Sequence, residues 1–265
     1  MQIKTLCLSI LALLIFSFGY SQDVSRADYP KAVQKKLRYH ERSLRLDPSH
    51  GPTYRARGIL YYDAGDYQIA LRDFNKALAY KDSSYQTFFH RGLTLLKLAR
   101  EADAIASFKQ AYQRNPYHPQ TLGYIGFYEL QEGKVKSAIA KFDQALAIDS
   151  TLLMVRLNRG TALYTLGRLD EAIADMELVI EQEPFHPVCL SNLGLALCQA
   201  NRVEEGVAYL DQALSMAPNL AEAWYNRGLA RYARGELKTA MEDFRKAKAL
   251  KPALIIRLNG EVWEP

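Results

Sequence analysis

Five histidines, three cysteines and 29 carboxylates are the side chains from which this 265-residue chain could build metal or acid–base chemistry. His50, His118 and His186 recur at intervals of 68 residues, each between two predicted helices. That is two repeats, or about 20 Å at ordinary helix spacings, so they cannot share a metal whose ligands lie ~2 Å from it. His40 falls on a predicted leading helix, and His90 stands two residues before a glycine. No HExxH, CxxC, GxSxG or phosphate-loop pattern is present. Acidic pairs such as Glu204-Glu205 read as solvated helix surface. Cys189 and Cys198 are nine residues apart on one predicted helix. That is about 13 Å at 1.5 Å per residue, too far for a disulfide, which needs Cα atoms within ~7 Å. Both read as small buried residues. The chain is therefore expected to be no enzyme, with no cofactor, no metal and no small-molecule substrate. The net charge of +5 is mild and does not call for nucleic acid.

The elements that would position any surface are set by one repeated glycine. Gly58, Gly92, Gly126, Gly160, Gly194 and Gly228 stand 34 residues apart. A fixed period in this range marks a repeat array. Its six units are 51–84, 85–118, 119–152, 153–186, 187–220 and 221–254. In the last, apolar residues recur at three- and four-residue steps on both sides of Gly235, which predicts two amphipathic helices. Gly65, Gly133, Gly167 and Gly235 stand where the first helix ends, a position suited to the left-handed conformation. Asn201 shares that place, and Ala99 is the exception, so its turn is expected to be strained or differently built. The framework glycines imply a close approach by the second helix, whose small residues are Ala70, Ala104, Ala138, Ala172, Gly206 and Ala240. Phe74, Phe108, Phe142, Met176, Leu210 and Phe244 follow four residues on. Pro116, Pro184, Pro218 and Pro252 end four of the units, with Asp82 and Ser150 in the others. Arg57, Arg91, Arg159 and Arg227 immediately precede their glycines, and their stems are expected to pack between helices with the heads in water.

Trp224, Gly228, Ala240, Phe244, Ala247 and Pro252 follow, in order, the pattern of the tetratricopeptide repeat, with the family's tyrosine displaced to Tyr232. The chain resembles that family over about three quarters of its length. The resemblance implies an all-α fold, a right-handed α-solenoid of six helix pairs, and protein or peptide partners. It further implies that the first helix of each unit lines an inner groove. Family members that hold a peptide use an Asn two residues before the framework Gly, and Asn158, Asn192 and Asn226 stand there. An Asn amide gives and accepts hydrogen bonds together, which suits a peptide main chain of any sequence. Ala56, His90 and Tyr124 hold the place in the first three units. Leu157, Ser191 and Tyr225 flank the Asn row, Arg55 and Phe89 occupy matching N-terminal places, and Tyr164 and Tyr232 lie further along the same helices. These are the expected readout residues. The cations of the family's terminal-carboxylate clamp are missing: across the last three units its places read Leu157 and Thr161, then Asn192, then Glu222 and Asn226.

Residues 1–21 read as a secretory signal peptide, with Lys4, the apolar run Leu6–Phe18, and Gly19 and Ser21 at the cleavage site. Cys7 lies too early to accept a lipid. The expected location is periplasmic or secreted. Residues 22–50 hold one helix, roughly Ala32 to Leu46, read as a cap on the array. Its polar face, Lys31, Lys35, Lys36, Arg38, Arg42 and Arg45, is that of a solvated cap or of a contact with an anionic partner or envelope surface. In the tail, 255–265, a short apolar piece before Asn259-Gly260 either covers the last unit or leaves an edge for a homo-oligomer. The expected function is a non-catalytic interaction scaffold that binds a partner peptide or helix in the groove. The alternative is a structural subunit that assembles through its ends or convex face.

Overall fold

The computed structural model describes residues 29–258 and 261–263. The expected signal peptide with its cleavage site, Cys7, and Asn259-Gly260 lie outside the described residues. The chain divides at Tyr128/Glu129 into two compact units.

The N-terminal unit holds α1 (Lys31–Leu46), α2 (Gly51–Asp63), α3 (Tyr67–Ala79), α4 (Tyr85–Lys97), α5 (Glu101–Arg114) and most of α6 (Pro119–Gln131). α2 packs on α3, and α4 on α5. α1 covers the first pair: Tyr29 and Leu37 are buried with Tyr61, Ala70 and Phe74, and Leu44 with Tyr54 and Ala77. The C-terminal unit holds α7 (Val135–Ile148), α8 (Leu153–Thr165), α9 (Leu169–Gln182), α10 (Pro187–Gln199), α11 (Val203–Met216), α12 (Ala221–Ala233) and α13 (Leu237–Leu250). Here α8 packs on α9, α10 on α11 and α12 on α13. The fold is all-α in class, a repeat of helix–turn–helix pairs.

A strand pair closes the chain, which the sequence did not announce. β1 (Ile256–Leu258) and β2 (Glu261–Trp263) pair antiparallel, with Arg257 opposite Val262. Leu254 and Ile256 are buried against Tyr225, Phe244 and Ala247, and Leu258 is half-buried beside them. The short apolar piece thus covers the last helix pair, while Ile255 and Val262 stay exposed.

Each turn has one geometry. In the first, Gly65 donates to the Tyr62 carbonyl (3.0 Å) and Asp66 to that of Tyr61 (2.8 Å), the paired bonds of a Schellman motif. Gly65, Gly133, Gly167 and Gly235 take φ of 75–87° there, and Asn201 takes 65°. Ala99 adopts φ 56°, and its turn makes the same bonds, from Ala99 to Leu96 and from Arg100 to Leu95. Its turn is strained and not differently built. An alanine in this region costs about 1–2 kcal/mol. Ala99→Gly is therefore expected to stabilise the chain by about 0.5–1 kcal/mol, after the greater unfolded-state freedom of glycine is counted. A urea midpoint that fails to rise would count against that strain.

Five of the framework glycines face the second helix of their own pair, though not always its alanine. A Cβ on Gly58, Gly92 or Gly228 would lie 2.9, 2.7 or 2.5 Å from Cε1 of Phe74, Phe108 or Phe244. The glycine makes room for that ring. Where the ring is replaced by Met176 or Leu210, the glycine meets backbone: Gly160 faces the Ala172 carbonyl, and Gly194 that of Gly206.

Candidate functional site

In the C-terminal unit the first helices α8, α10 and α12 lie side by side. Two of their three asparagines are joined to the preceding helix rather than standing free in a row. Asn192 donates through Nδ2 to Thr161 Oγ1 (3.4 Å), and Asn226 donates to Ser191 Oγ (3.0 Å). Asn226 is buried, whereas Asn158 and Asn192 are half-buried. The Oδ1 acceptors of Asn192 and Asn226, and the whole Asn158 amide, make no protein hydrogen bond among the described residues.

The flanking residues are placed differently from the expectation. Leu157, Ser191, Tyr225 and Tyr164 are 3%, 1%, 6% and 7% exposed, so they belong to the interior and not to a readout surface. Packing is the reason: Ser191 receives Asn226, and the Tyr225 ring lies 6.0 Å from that of Phe244. Tyr232 is half-buried against the same cluster.

In the N-terminal unit Arg55 is held by Asp82 (Nε to Oδ2, 3.0 Å) and by Gln86 (2.6 Å). It is neutralised by the residue that replaces the unit-ending proline, so it adds no free positive charge to this face. Phe89 sits in an aromatic cluster, 4.7 Å from the His118 ring, 5.9 Å from Phe108 and 6.1 Å from Tyr124. Tyr62, Tyr85 and His90 extend the cluster. Sequence reasoning named only Phe89 of these as a binding residue, although Tyr124 and His90 hold the same place in their units as the asparagines. Burial lowers the pKa of both His90 and His118, and His118 and Arg55 lower that of His90 further against an opposing pull from Asp63. The cluster is therefore uncharged at neutral pH.

The 68-residue histidines have a structural task. His186, the N-cap of α10, accepts from the Cys189 N–H at Nδ1 (3.1 Å), and His118 accepts from Thr121 (3.3 Å). His50 Nδ1 reaches Thr53 Oγ1 (2.7 Å). His186 and His118 thus serve the helix that follows as a capping Ser or Asp would, whereas His50 makes no bond to the backbone of α2. Among the described residues no group of three or more His, Cys, Asp or Glu side chains is placed to hold a metal. Burial raises the Cys189 thiol to about 12 and the Cys198 thiol to about 11, so neither is a nucleophile at neutral pH.

The arginines before the framework glycines do not end in water. Arg159 donates to Asp175 through Nε and Nη2 (both 2.7 Å) and to Asp143 through Nη1 (2.8 Å). Arg227 repeats this with Asp243 (3.0 and 2.7 Å) and Asp211 (2.7 Å). Arg57 grips Asp73 (2.7 and 2.8 Å), and Arg91 takes Ser107 and Asn75. Each arginine thus ties its first helix to the second helix of its own pair, 16 residues on. Three of them also reach the pair before, 16 residues back. The signal was legible as arginine and acceptor at a spacing of 16.

These features define a helix-pair repeat protein whose ordered polar groups join neighbouring helices. The family model described as "Tetratricopeptide repeat" matches residues 55–119, 125–187 and 191–254, and the chain belongs to that family. No curated protein matches it in sequence. Among solved structures, the APC/C hetero-tetramer Cut9-Hcn1 is similar at 16% identity and a TM-score of 0.63, over 84% of this chain and 44% of that one. The chain thus spans less than half the length of that relative. PilW, a widely conserved type IV pilus biogenesis factor, is similar at 20% identity and a TM-score of 0.60, over 77% of this chain and 94% of that one. The pilF protein of Pseudomonas aeruginosa is similar at 15% identity and a TM-score of 0.60, over 77% and 93%. At these identities the likeness is one of fold alone. Among the described residues no helix is long and apolar enough to cross a membrane.

Proposed function

We propose that this chain is an exported, non-catalytic scaffold that holds an extended partner peptide across the first helices α8, α10 and α12. The family supports the scaffold role, since its repeats are interaction modules. The observation that carries the peptide reading is the set of open amide groups: the Asn158 amide and the Oδ1 atoms of Asn192 and Asn226. One N–H of Asn192 and one of Asn226 is spent on Thr161 and Ser191, which fixes both amides and leaves their Oδ1 acceptors for peptide N–H groups. Fixed groups lose little entropy on binding. Export rests on the N-terminal apolar run and its cleavage pattern.

The test is a crosslinking pull-down from an envelope fraction, with the full chain beside Asn158→Ala/Asn192→Ala. Asn226 is left intact because it is buried and holds Ser191. Two lost hydrogen bonds at about 0.5–1.5 kcal/mol each predict a roughly tenfold drop in capture, with unchanged circular dichroism. Equal capture by both proteins would move the site to the ends or convex face and favour an assembly subunit.

A further inference from the structure

We infer that the exposed face of α1 is a docking surface for an anionic lipid bilayer. Lys31, Lys35, Arg38, Arg42 and Arg45 follow one another at steps of four and three residues, so they form a single stripe along the helix. The stripe runs about 21 Å at 1.5 Å per residue. All five are exposed, as is Lys36 beside them. The opposite face is anchored in the fold through Leu37 and Leu44, so the cations are presented by a held helix and not by a loose segment.

Elsewhere three exposed arginines at helix N-caps are neutralised by a carboxylate. Arg100 pairs with Asp103, Arg168 with Glu171 and Arg202 with Glu205, each three residues on. No cation of the α1 stripe has a carboxylate partner among the described residues. The single acid of the helix, Glu41, is half-buried and acts on Arg57 of α2. The stripe also costs helix stability, since four successive like-charged pairs oppose it. A surface of this kind is complementary to a plane of negative charge.

Two apolar side chains select a bilayer over a soluble polyanion. Tyr39 is 68% exposed and Leu46 83% exposed. They sit four residues after Lys35 and Arg42, on the edge of the stripe. A lipid interface accepts a tyrosine ring and a leucine at the level of basic side chains, as it does for amphipathic helices lying in its plane. A dissolved polyanion offers them nothing.

The experiment is vesicle flotation of the full chain. It compares phosphatidylcholine vesicles with vesicles containing about 30% phosphatidylglycerol, since each basic residue near such a surface contributes about 1 kcal/mol, or roughly fivefold. The readout is the ratio of the two partition coefficients, compared between parent and variants, because the apolar run Leu6–Phe18 and the positive charges before it contribute alike to every protein compared. The ratio is expected to exceed about 100 and to fall as salt rises from about 0.1 to 0.5 M. Lys35→Glu/Arg38→Glu/Arg42→Glu is expected to lower it by about 100-fold or more, and Tyr39→Ser/Leu46→Ser to weaken binding to the anionic vesicles severalfold. All five sites are exposed, and far-UV circular dichroism confirms that the fold is kept. A ratio near one for the parent, or one that survives charge reversal, overturns the inference. So does undiminished vesicle binding by the Tyr39/Leu46 variant, which would assign the stripe to a soluble polyanion.

Discussion

Asp175→Ala is expected to lower the stability of the folded chain by about 3 kcal/mol, more than 100-fold in the folding equilibrium. Asp175 is 3% exposed and is the common acceptor of two guanidinium groups. Arg159 reaches it twice at 2.7 Å, and Arg156 Nη1 lies 3.4 Å away. Removing one partner of a buried pair leaves the other desolvated without compensation, at a cost of about 3–5 kcal/mol. The lower end applies here, because the Arg159 side chain is 24% exposed and keeps Asp143. Replacing both partners is a different matter, since an apolar pair avoids the desolvation altogether. The chain itself shows such a pair: Leu193 and Tyr209 occupy the two places one repeat later. Arg159→Leu/Asp175→Tyr should therefore cost less than about 1.5 kcal/mol. Urea denaturation of Asp175→Ala, of the double variant and of its two singles, Arg159→Leu and Asp175→Tyr, gives both the loss and the coupling. A loss below about 1 kcal/mol for Asp175→Ala, or a double variant as poor as the sum of the singles, would show that the grip is only a surface pair.

The same arginines show how far the sequence could be read. The 34-residue glycine spacing, the helix pairs and the turn residues were all visible, because each depends on groups within a few residues of one another. The turn at Ala99 was even visible as an anomaly, and it keeps the common geometry with φ 56°. What sequence could not supply was the state of a side chain that depends on a neighbour one repeat away. Asn158, Asn192 and Asn226 look equivalent in the chain. Asn226 is nonetheless buried and bonded to Ser191, while Asn158 has no preceding hydroxyl partner. Arg55 looked like a free cation because Asp82 was read as a missing proline rather than as its partner. The closing strands escaped for a related reason. Three residues are too few to show a period of two, and pairing Ile256 with Trp263 is a contact between separate segments. The arginine–aspartate spacing of 16 was present in the sequence and was missed, since one helix turn of periodicity does not reveal a partner across a bend.

Gly206→Ala reverses what sequence logic would recommend, and Gly194→Val makes the same point with a larger effect. Five of the six repeats carry alanine at the place of Gly206, and alanine is better than glycine in a helix by about 1 kcal/mol. Repeat averaging therefore predicts stabilisation. The structure predicts the opposite. A Cβ at position 206 would lie 2.5 Å from the Gly194 carbonyl oxygen and against the Cys198 sulfur, and a Cβ at position 194 would lie 2.6 Å from the Gly206 carbonyl oxygen. Here the two helices meet backbone to backbone, and backbone cannot rotate away as the end of a side chain can. Overpacking of this kind costs about 1–3 kcal/mol. The net expectation is a loss of up to about 2 kcal/mol for Gly206→Ala and about 3 kcal/mol for Gly194→Val, read from urea midpoints. A rise in stability for Gly206→Ala would mean that α10 and α11 separate freely. That same separation carries a functional consequence. Asn192 lies on α10 two residues before Gly194, and its only side-chain hydrogen bond among the described residues is a 3.4 Å contact with Thr161. Pushing α11 away from α10 shifts that contact first. Under the peptide-binding proposal, Gly206→Ala should then weaken partner capture even where the protein remains folded, whereas Ala99→Gly, in the other unit, should leave it unchanged.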